Sequence, residues 1–360
     1  MKRFITLILA LMMMFAFVSC GDEQVKQEQT QPQEQPQTEN EPSAVEEMRL
    51  LVPYCDESTG EWGYCTTDGE TVIAPQFYMA YEFAENDIAL VKTDDSASYG
   101  YINQKGDFVI EAEFDYAFPF TSNGLALVKA DGNYGYINEN GEYAIESQEF
   151  DGADSFGENG LAAVRVNEKW GYINESGEFV VEPQFKRASA FRENGLAAVQ
   201  EGDNYGYINE SGEWVIEPQF DEAWGFASNG LAVVYEDGKG WGYINESGEF
   251  VIEPQFKKAG FFAENGLAPV ETDGKCGYID AKGEFVIEPQ FGWAATFAEN
   301  GLAAVGADGK CGYINEKGEF VIEPKFDDAR SFADNGLAEV KINDRYGYIN
   351  ESGEIIEPKK

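Results

Sequence analysis

The sequence predicts an all-β chain, a tandem array of nine antiparallel units of about 35 residues, and two observations carry that prediction. First, a Gly-Tyr pair recurs at 63, 100, 135, 171, 206, 242, 277, 312 and 347, a fixed period that marks a repeat architecture. Second, each pair is followed by a four-residue turn that Gly closes in all nine copies and that Asn or Asp opens in eight. That pattern is a type I turn followed by a left-handed residue, which joins two strands as a hairpin. Hydrophobic residues make up 43% of the chain, with 26 Phe and 19 Tyr, too many for a chain that stays unfolded.

The first 47 residues read differently from the rest. Lys2 and Arg3 precede an uncharged apolar stretch from Phe4 to Val18, followed by Ser19-Cys20-Gly21, the layout of a signal peptide over 1–19. The apolar stretch is shorter than the roughly 20 residues that span a bilayer. Phe17-Val18-Ser19-Cys20 resembles a bacterial lipobox, which implies lipid attachment at Cys20, by diacylation. Residues 21–47 hold seven Gln, three Pro and eight acidic side chains against Lys26, so 20–47 is expected to be a lipidated cysteine with a disordered tether. Its reach is roughly 30 Å as a flexible coil.

From residue 48 to 360 the repeat takes over. One unit reads Trp170-Gly-Tyr-Ile-Asn-Glu-Ser-Gly-Glu-Phe-Val-Val-Glu-Pro-Gln-Phe185, then Ala188, Phe191 and Asn194-Gly-Leu-Ala-Ala-Val199. Ile173 ends one apolar strand and Glu178–Glu182 forms the next, with Glu-Pro expected to end it because proline lacks a ladder amide. Asn-Gly opens a third strand, Leu196–Val199, whose small alanines suit close packing against a neighbouring sheet. The Phe-x-x-Ala-x-x-Phe segment between units, from Phe77/Ala80/Phe83 to Phe326/Ala329/Phe332, fits a 3₁₀ turn or a strand, with both rings in the core. This pattern resembles the WG (KWG-type) repeat family of bacterial proteins over about residues 50–358. The resemblance implies a repeat scaffold and no particular activity.

Units this small cannot bury their faces alone and must stack. An open β-superhelix and a propeller-like ring both satisfy that. Nine copies exceed the usual 4–8 blades of a propeller, which leans toward an open array.

The absence of histidine removes Ser-His-Asp and Cys-His catalysis and His-ligated metal sites. With 25 basic against 66 acidic side chains, a nucleic-acid partner is not expected. The residues before Gly-Tyr include Trp62, Trp170 and Trp241; these are candidate ligand-facing aromatics, and packing over the adjacent glycine is the competing reading. The repeated Glu175, Glu178 and Glu182 could line up as oxygen ligands, but no Asp-x-Asp-x-Asp-Gly loop accompanies them, so no metal and no cofactor is expected. No constellation that breaks the repeat suggests a catalytic site, so an enzyme is not expected.

Cys55 and Cys65 fall on neighbouring strands of the first unit and are a candidate disulfide if the hairpin register opposes them. Cys276 and Cys311 hold equivalent places one repeat apart and should be free thiols. The Asn-x-Ser triplets at 174, 209, 245 and 350 are hairpin turns first. The expectation is a lipid-anchored envelope protein, at the outer membrane, that binds or scaffolds a protein partner. A carbohydrate-binding surface is the alternative, and a hydrolase stands behind both.

Overall fold

The computed structural model describes residues 50–356 apart from 57, 96–97, 147–149 and 344. Cys20, the signal segment and the tether lie outside the described residues. Among those residues the structure is all-β: nine antiparallel sheets follow one another along the chain. These are blades 1 to 9. Blade 1 has three strands, Leu51–Cys55, Trp62–Thr66 and Thr71–Phe77, and each later blade has four. Blade 5 is representative, with strands Arg187–Ala188, Leu196–Glu201, Asn204–Asn209 and Trp214–Phe220 in that spatial order.

The turns form as their residues dictate. The Asn174 side chain accepts hydrogen bonds from the amides of Ser176 and Glu178, and Gly177 closes the turn at φ 80°, a conformation that costs glycine nothing. The Asn194 carboxamide likewise accepts from the Leu196 amide and starts the second strand. The Phe-x-x-Ala-x-x-Phe segment is strand only in part: its alanine sits in the first strand of blades 2 to 9, as Ala188 does, while the second phenylalanine lies beyond the strand in all but Phe83 and Phe226.

The fourth strand does not stop at Glu-Pro. In blade 5 it runs from Trp214 through Pro218 to Phe220. The register explains why proline is tolerated: Tyr205 lies opposite Phe220 and Tyr207 opposite Ile216, so Gly206 alone faces Glu217, Pro218 and Gln219. Proline sits in this bulge, where the ladder asks for no amide. The bulged backbone also presses onto the glycine. A Cβ on Gly312, its equivalent in blade 8, would lie 2.6 Å from the Ile322 carbonyl oxygen and 2.8 Å from Pro324 N. Backbone therefore requires the glycine of the Gly-Tyr pair in seven of the nine copies; at Gly135 the Tyr143 ring comes as close as the backbone does.

Each blade packs on the next through one apolar cluster. Leu196, Ala198, Tyr207, Ile216 and Phe220 of blade 5 meet Phe226, Ala232, Val234 and Ile244 of blade 6, and the alanines provide the close approach expected of them. The tyrosine of each of the first eight Gly-Tyr pairs is fully buried here and latches the two blades. Tyr207 donates its hydroxyl to the Trp224 carbonyl at 2.7 Å, and seven others do the same from Tyr64 to Tyr313. Burial pushes these phenols well above their ordinary pKa, so they stay protonated donors.

The array closes into a ring. The third strand of blade 9 lies against Leu51–Cys55 of blade 1, and the Asn335 carboxamide of blade 9 donates to Glu82 in blade 2 at 3.2 Å. That bond bridges the place where blade 1 lacks a short first strand. The open array favoured by the copy number is therefore corrected to a nine-bladed, propeller-like ring. All nine sheets, the clusters between them and the closing bond lie within residues 50–356, inside the compact unit Arg49–Lys360.

Candidate binding site on the channel wall

Strand direction gives the ring two faces. The Phe-x-Glu-Asn-Gly loops and the Asn-x-x-Gly turns share the upper face, where the loop asparagine of one blade donates to the turn glutamate of the next: Asn159 to Glu210 at 2.9 Å and Asn194 to Glu246 at 3.0 Å. The hairpins between second and third strands share the lower face. Equivalent loops from blades 4 to 8 line one cavity of about 880 Å³, which places the short first strands at the inner edge, around a central channel.

The repeated glutamates are thus partly accounted for. Glu210 and Glu246 hold blades together, and Asn209 donates to Glu213 within its own turn. Among the described residues no group of three or more acidic or thiol side chains is placed to hold a metal ion.

The candidate tryptophans do not form a row facing one ligand. Trp62 and Trp170 are half-buried and pack against the clusters between blades 1 and 2 and between blades 4 and 5. The Arg165 guanidinium lies 5.8 Å from the Trp170 ring centre. Trp241 packs against the cluster of blades 6 and 7, with Tyr235 at 5.2 Å, yet it also lines a cavity. The structure separates it from the other two.

The cysteine pair is corrected. Cys55 lies opposite Trp62, and Cys65 lies opposite Val52. An offset of three residues puts the side chains on opposite faces and roughly 10 Å apart along the strand, beyond the 4.4–6.8 Å Cα span of a disulfide. Cys55, Cys65, Cys276 and Cys311 are all free thiols. Burial pushes the Cys65 thiol up to about 11, with the Asp68 charge adding to it. At pH 8 that leaves roughly 100-fold less thiolate than an ordinary cysteine. Non-reducing peptide mapping should recover Cys55 and Cys65 unlinked, and native iodoacetamide labelling of Cys65 should lag a free cysteine by at least that factor. A linked peptide pair would contradict the register.

One position stands apart from the repeat. The carbonyl that accepts each tyrosine hydroxyl belongs, around the ring, to Tyr81, Phe118, Asp154, Ser189, Trp224, Gly260, Ala295 and Arg330. The backbone role is constant and the side chain differs in all eight. Each follows the core alanine of the inner strand, so it lies on the opposite side of its sheet, where Tyr81, Phe118 and Ala295 pack against the cluster shared with the following blade and Asp154, Trp224 and Arg330 are exposed. Exposure alone does not explain the variation. Val180, Val215, Val251, Val286 and Val321 on the outer strands are just as exposed, and all are valine.

The departure is sharpest at blades 5 to 7. Trp224 is 50% exposed and meets Phe261 edge-on at 6.0 Å. Arg192 reaches across from blade 5, stacks 5.7 Å over Phe261 and donates to the Phe226 carbonyl at 3.1 Å. Gly225 admits the Arg192 stem, since a Cβ there would lie 2.6 Å from Arg192 Cγ. Gly260 leaves the wall of blade 7 without a side chain. Trp224, Trp241, Phe261, Val233 and Lys258 then enclose a cavity of about 230 Å³. Phe261 also lines the larger cavity of the upper mouth. Sequence reasoning missed this group. Its signal was a set of departures from the repeat at Arg192, Trp224-Gly225 and Gly260-Phe261, which only the inward-facing register turns into a site.

Comparison with a family model for the WG-containing repeat matches residues 62–95, 99–134, 134–170, 170–205, 205–239, 241–276, 277–311 and 312–346. The chain belongs to the WG-repeat family. No curated protein matches the sequence. Among solved structures, a eukaryotic initiation factor is similar at a TM-score of 0.61 and 10% identity, covering 85% of this chain and 95% of its own. The computationally designed protein Ika8 is similar at a TM-score of 0.51 and 9% identity, covering 75% of this chain and 95% of its own. At such identities the likeness concerns the fold alone. It agrees with a ring of β-sheets, and the WG repeat supplies the blade.

Proposed function

We propose that this WG-repeat protein is a lipid-anchored envelope protein whose ring binds a protein partner and catalyses no reaction. The observation that carries the reading is the inner-strand position with eight different side chains on one constant backbone. A scaffold whose packing residues repeat while one inner-strand position varies, and is exposed at Asp154, Trp224 and Arg330, offers a surface specific to a partner. The anchor is Cys20, the tether is 21–47, and Gly21 after the cysteine supports sorting to the outer membrane. A tether of that length would let the ring search a volume above the bilayer.

Carbohydrate binding through the same tryptophans is the weaker reading. Apart from the indole N–H groups, Lys258 is the only polar side chain lining the apolar cavity, whereas sugar hydroxyls call for several placed hydrogen-bonding groups. The test is a pull-down from envelope extract with immobilised residues 48–360 and with 21–47 as control. The expected result is a discrete protein enriched over the control. Retained polysaccharide without such a protein would overturn the reading.

A further inference from the structure

The cavity between blades 6 and 7 also indicates what kind of protein segment it takes, an inference that rests on the protein-binding reading. We propose that it docks a basic peptide segment, with one apolar side chain of about leucine size in the pocket and flanking Lys or Arg side chains against the carboxylates of the upper mouth.

The pocket sets the first half of that identity. Its walls are Trp224, Trp241, Phe261, Val233 and the Lys258 stem, and its volume of about 230 Å³ suits one large apolar side chain. It opens where Gly260 stands, and Gly260 has little room for any other residue, because a Cβ there would lie 2.8 Å from Pro269 Cγ. Trp224 stands half-exposed at the pocket, its ring edge-on to Phe261 at 6.0 Å, a rigid anchor of the kind that dominates binding surfaces.

Charge sets the second half. The mouth that adjoins the pocket at Phe261 is lined by Glu158, Glu193, Glu264 and Glu299, with Arg192 as the cation of that lining. These four carboxylates have no ion pair or hydrogen bond among the described residues. Lys257 and Lys258, beside the pocket, share the one carboxylate of Glu271 at 3.0 and 2.7 Å, so one positive charge stays on that side. Glu222, two residues before Trp224 on the same strand face, is exposed. A partner therefore meets aromatic walls adjoining a mouth where carboxylates outnumber cations, which selects an apolar side chain with its basic flanks toward that mouth.

Residues 49–360 would be titrated at low salt with a fluorescein-labelled peptide, Lys-Arg-Pro-Leu-Lys-Arg, following anisotropy and tryptophan emission. One reference peptide replaces Pro-Leu by Gly-Ser and keeps the charge, and another replaces each basic residue by Glu. The parent peptide should bind at least tenfold tighter than either reference and weaken as salt rises. Trp224→Ala, which keeps the carbonyl that Tyr207 needs, should cost at least tenfold, as should Phe261→Leu. Trp62→Phe, far around the ring, should change nothing, and circular dichroism should show each variant folded. Equal binding of the Gly-Ser peptide, binding of the acidic peptide, indifference to both pocket variants, or no binding would each overturn the proposal. Cellohexaose quenching that depends on Trp224 would also overturn it, in favour of a sugar. The pull-down separates the two levels: an envelope protein retained equally by Trp224→Ala sinks this inference and leaves the binding reading standing, whereas nothing retained by the unaltered ring sinks the reading itself.

Discussion

Gly312→Ala is expected to destabilise the ring by about 3 kcal/mol or more, the range of a core position with no space for added atoms. The added Cβ would fall 2.6 Å from the Ile322 oxygen, 2.8 Å from Pro324 N and 3.0 Å from the Glu323 carbonyl carbon. All three are backbone, so no side chain can swing away. Relief requires opening the bulge that Glu323-Pro324-Lys325 makes over the glycine, and with it the register of Tyr313 against Ile322. The same change at Gly347, the equivalent position in blade 9, should cost clearly less, because among the described residues nothing lies within 4 Å of a Cβ there. Among those residues the last strand of that blade is Ile355–Ile356. Urea unfolding of the two variants side by side checks the argument. Equal losses would mean that the bulge does not impose the glycine.

Tyr207→Phe is expected to cost about 1–2 kcal/mol, since it removes a donor and leaves the Trp224 carbonyl buried without its partner. The ring and its packing are otherwise kept, so the loss isolates the 2.7 Å bond. Tyr348 is the matched control. It is the tyrosine of blade 9, and among the described residues the blade that follows it around the ring has no short first strand to offer a carbonyl. Tyr348→Phe should therefore lose clearly less in the same unfolding assay. A larger loss at Tyr348 than at Tyr207 would show that the hydroxyls do not act as latches between blades.

Much of the fold was legible because the residues that shape it repeat. The turn Asn-Glu-Ser-Gly, the Asn-Gly strand opener and the paired phenylalanines each serve a local need, and nine copies make that need visible. Where sequence reasoning failed, the cause was a contact between distant residues. Glu-Pro reads as a strand end because proline lacks an amide, but Gly206 on the neighbouring strand lets Pro218 sit in a bulge and the strand run on to Phe220. Cys55 and Cys65 read as a bridge until the register set them three residues apart. Ring closure depends on Asn335 meeting Glu82, 253 positions earlier in the chain, a pairing that no local pattern encodes.

The candidate site was hidden for a related reason. Trp170 and Trp241 are equivalent in the repeat, and sequence alone treats them alike. Trp241 lines a cavity, because Gly260 and Phe261 of the next blade and Trp224 of its own frame the space beside it, whereas Trp170 lies under the Arg165 guanidinium. The informative residues were those that differ between copies, and their significance appears once blade packing sets Trp224 against Phe261 and Gly260 of the next blade.

Closure of the nine units is tested most directly by a cross-link. In a variant with Cys55, Cys65, Cys276 and Cys311 replaced by serine, Glu82→Cys and Asn335→Cys would be combined in residues 49–360 and treated with a short bis-maleimide, which spans about the reach of the two native side chains, at low protein concentration. The wild-type side chains at these positions are in hydrogen-bond contact at 3.2 Å. The ring predicts an efficient intramolecular cross-link that shifts the unfolded chain on a gel. In an open superhelix the two positions would be separated by the length of the array. A monomer that stays uncross-linked, with both thiols still titratable, would contradict the closed ring.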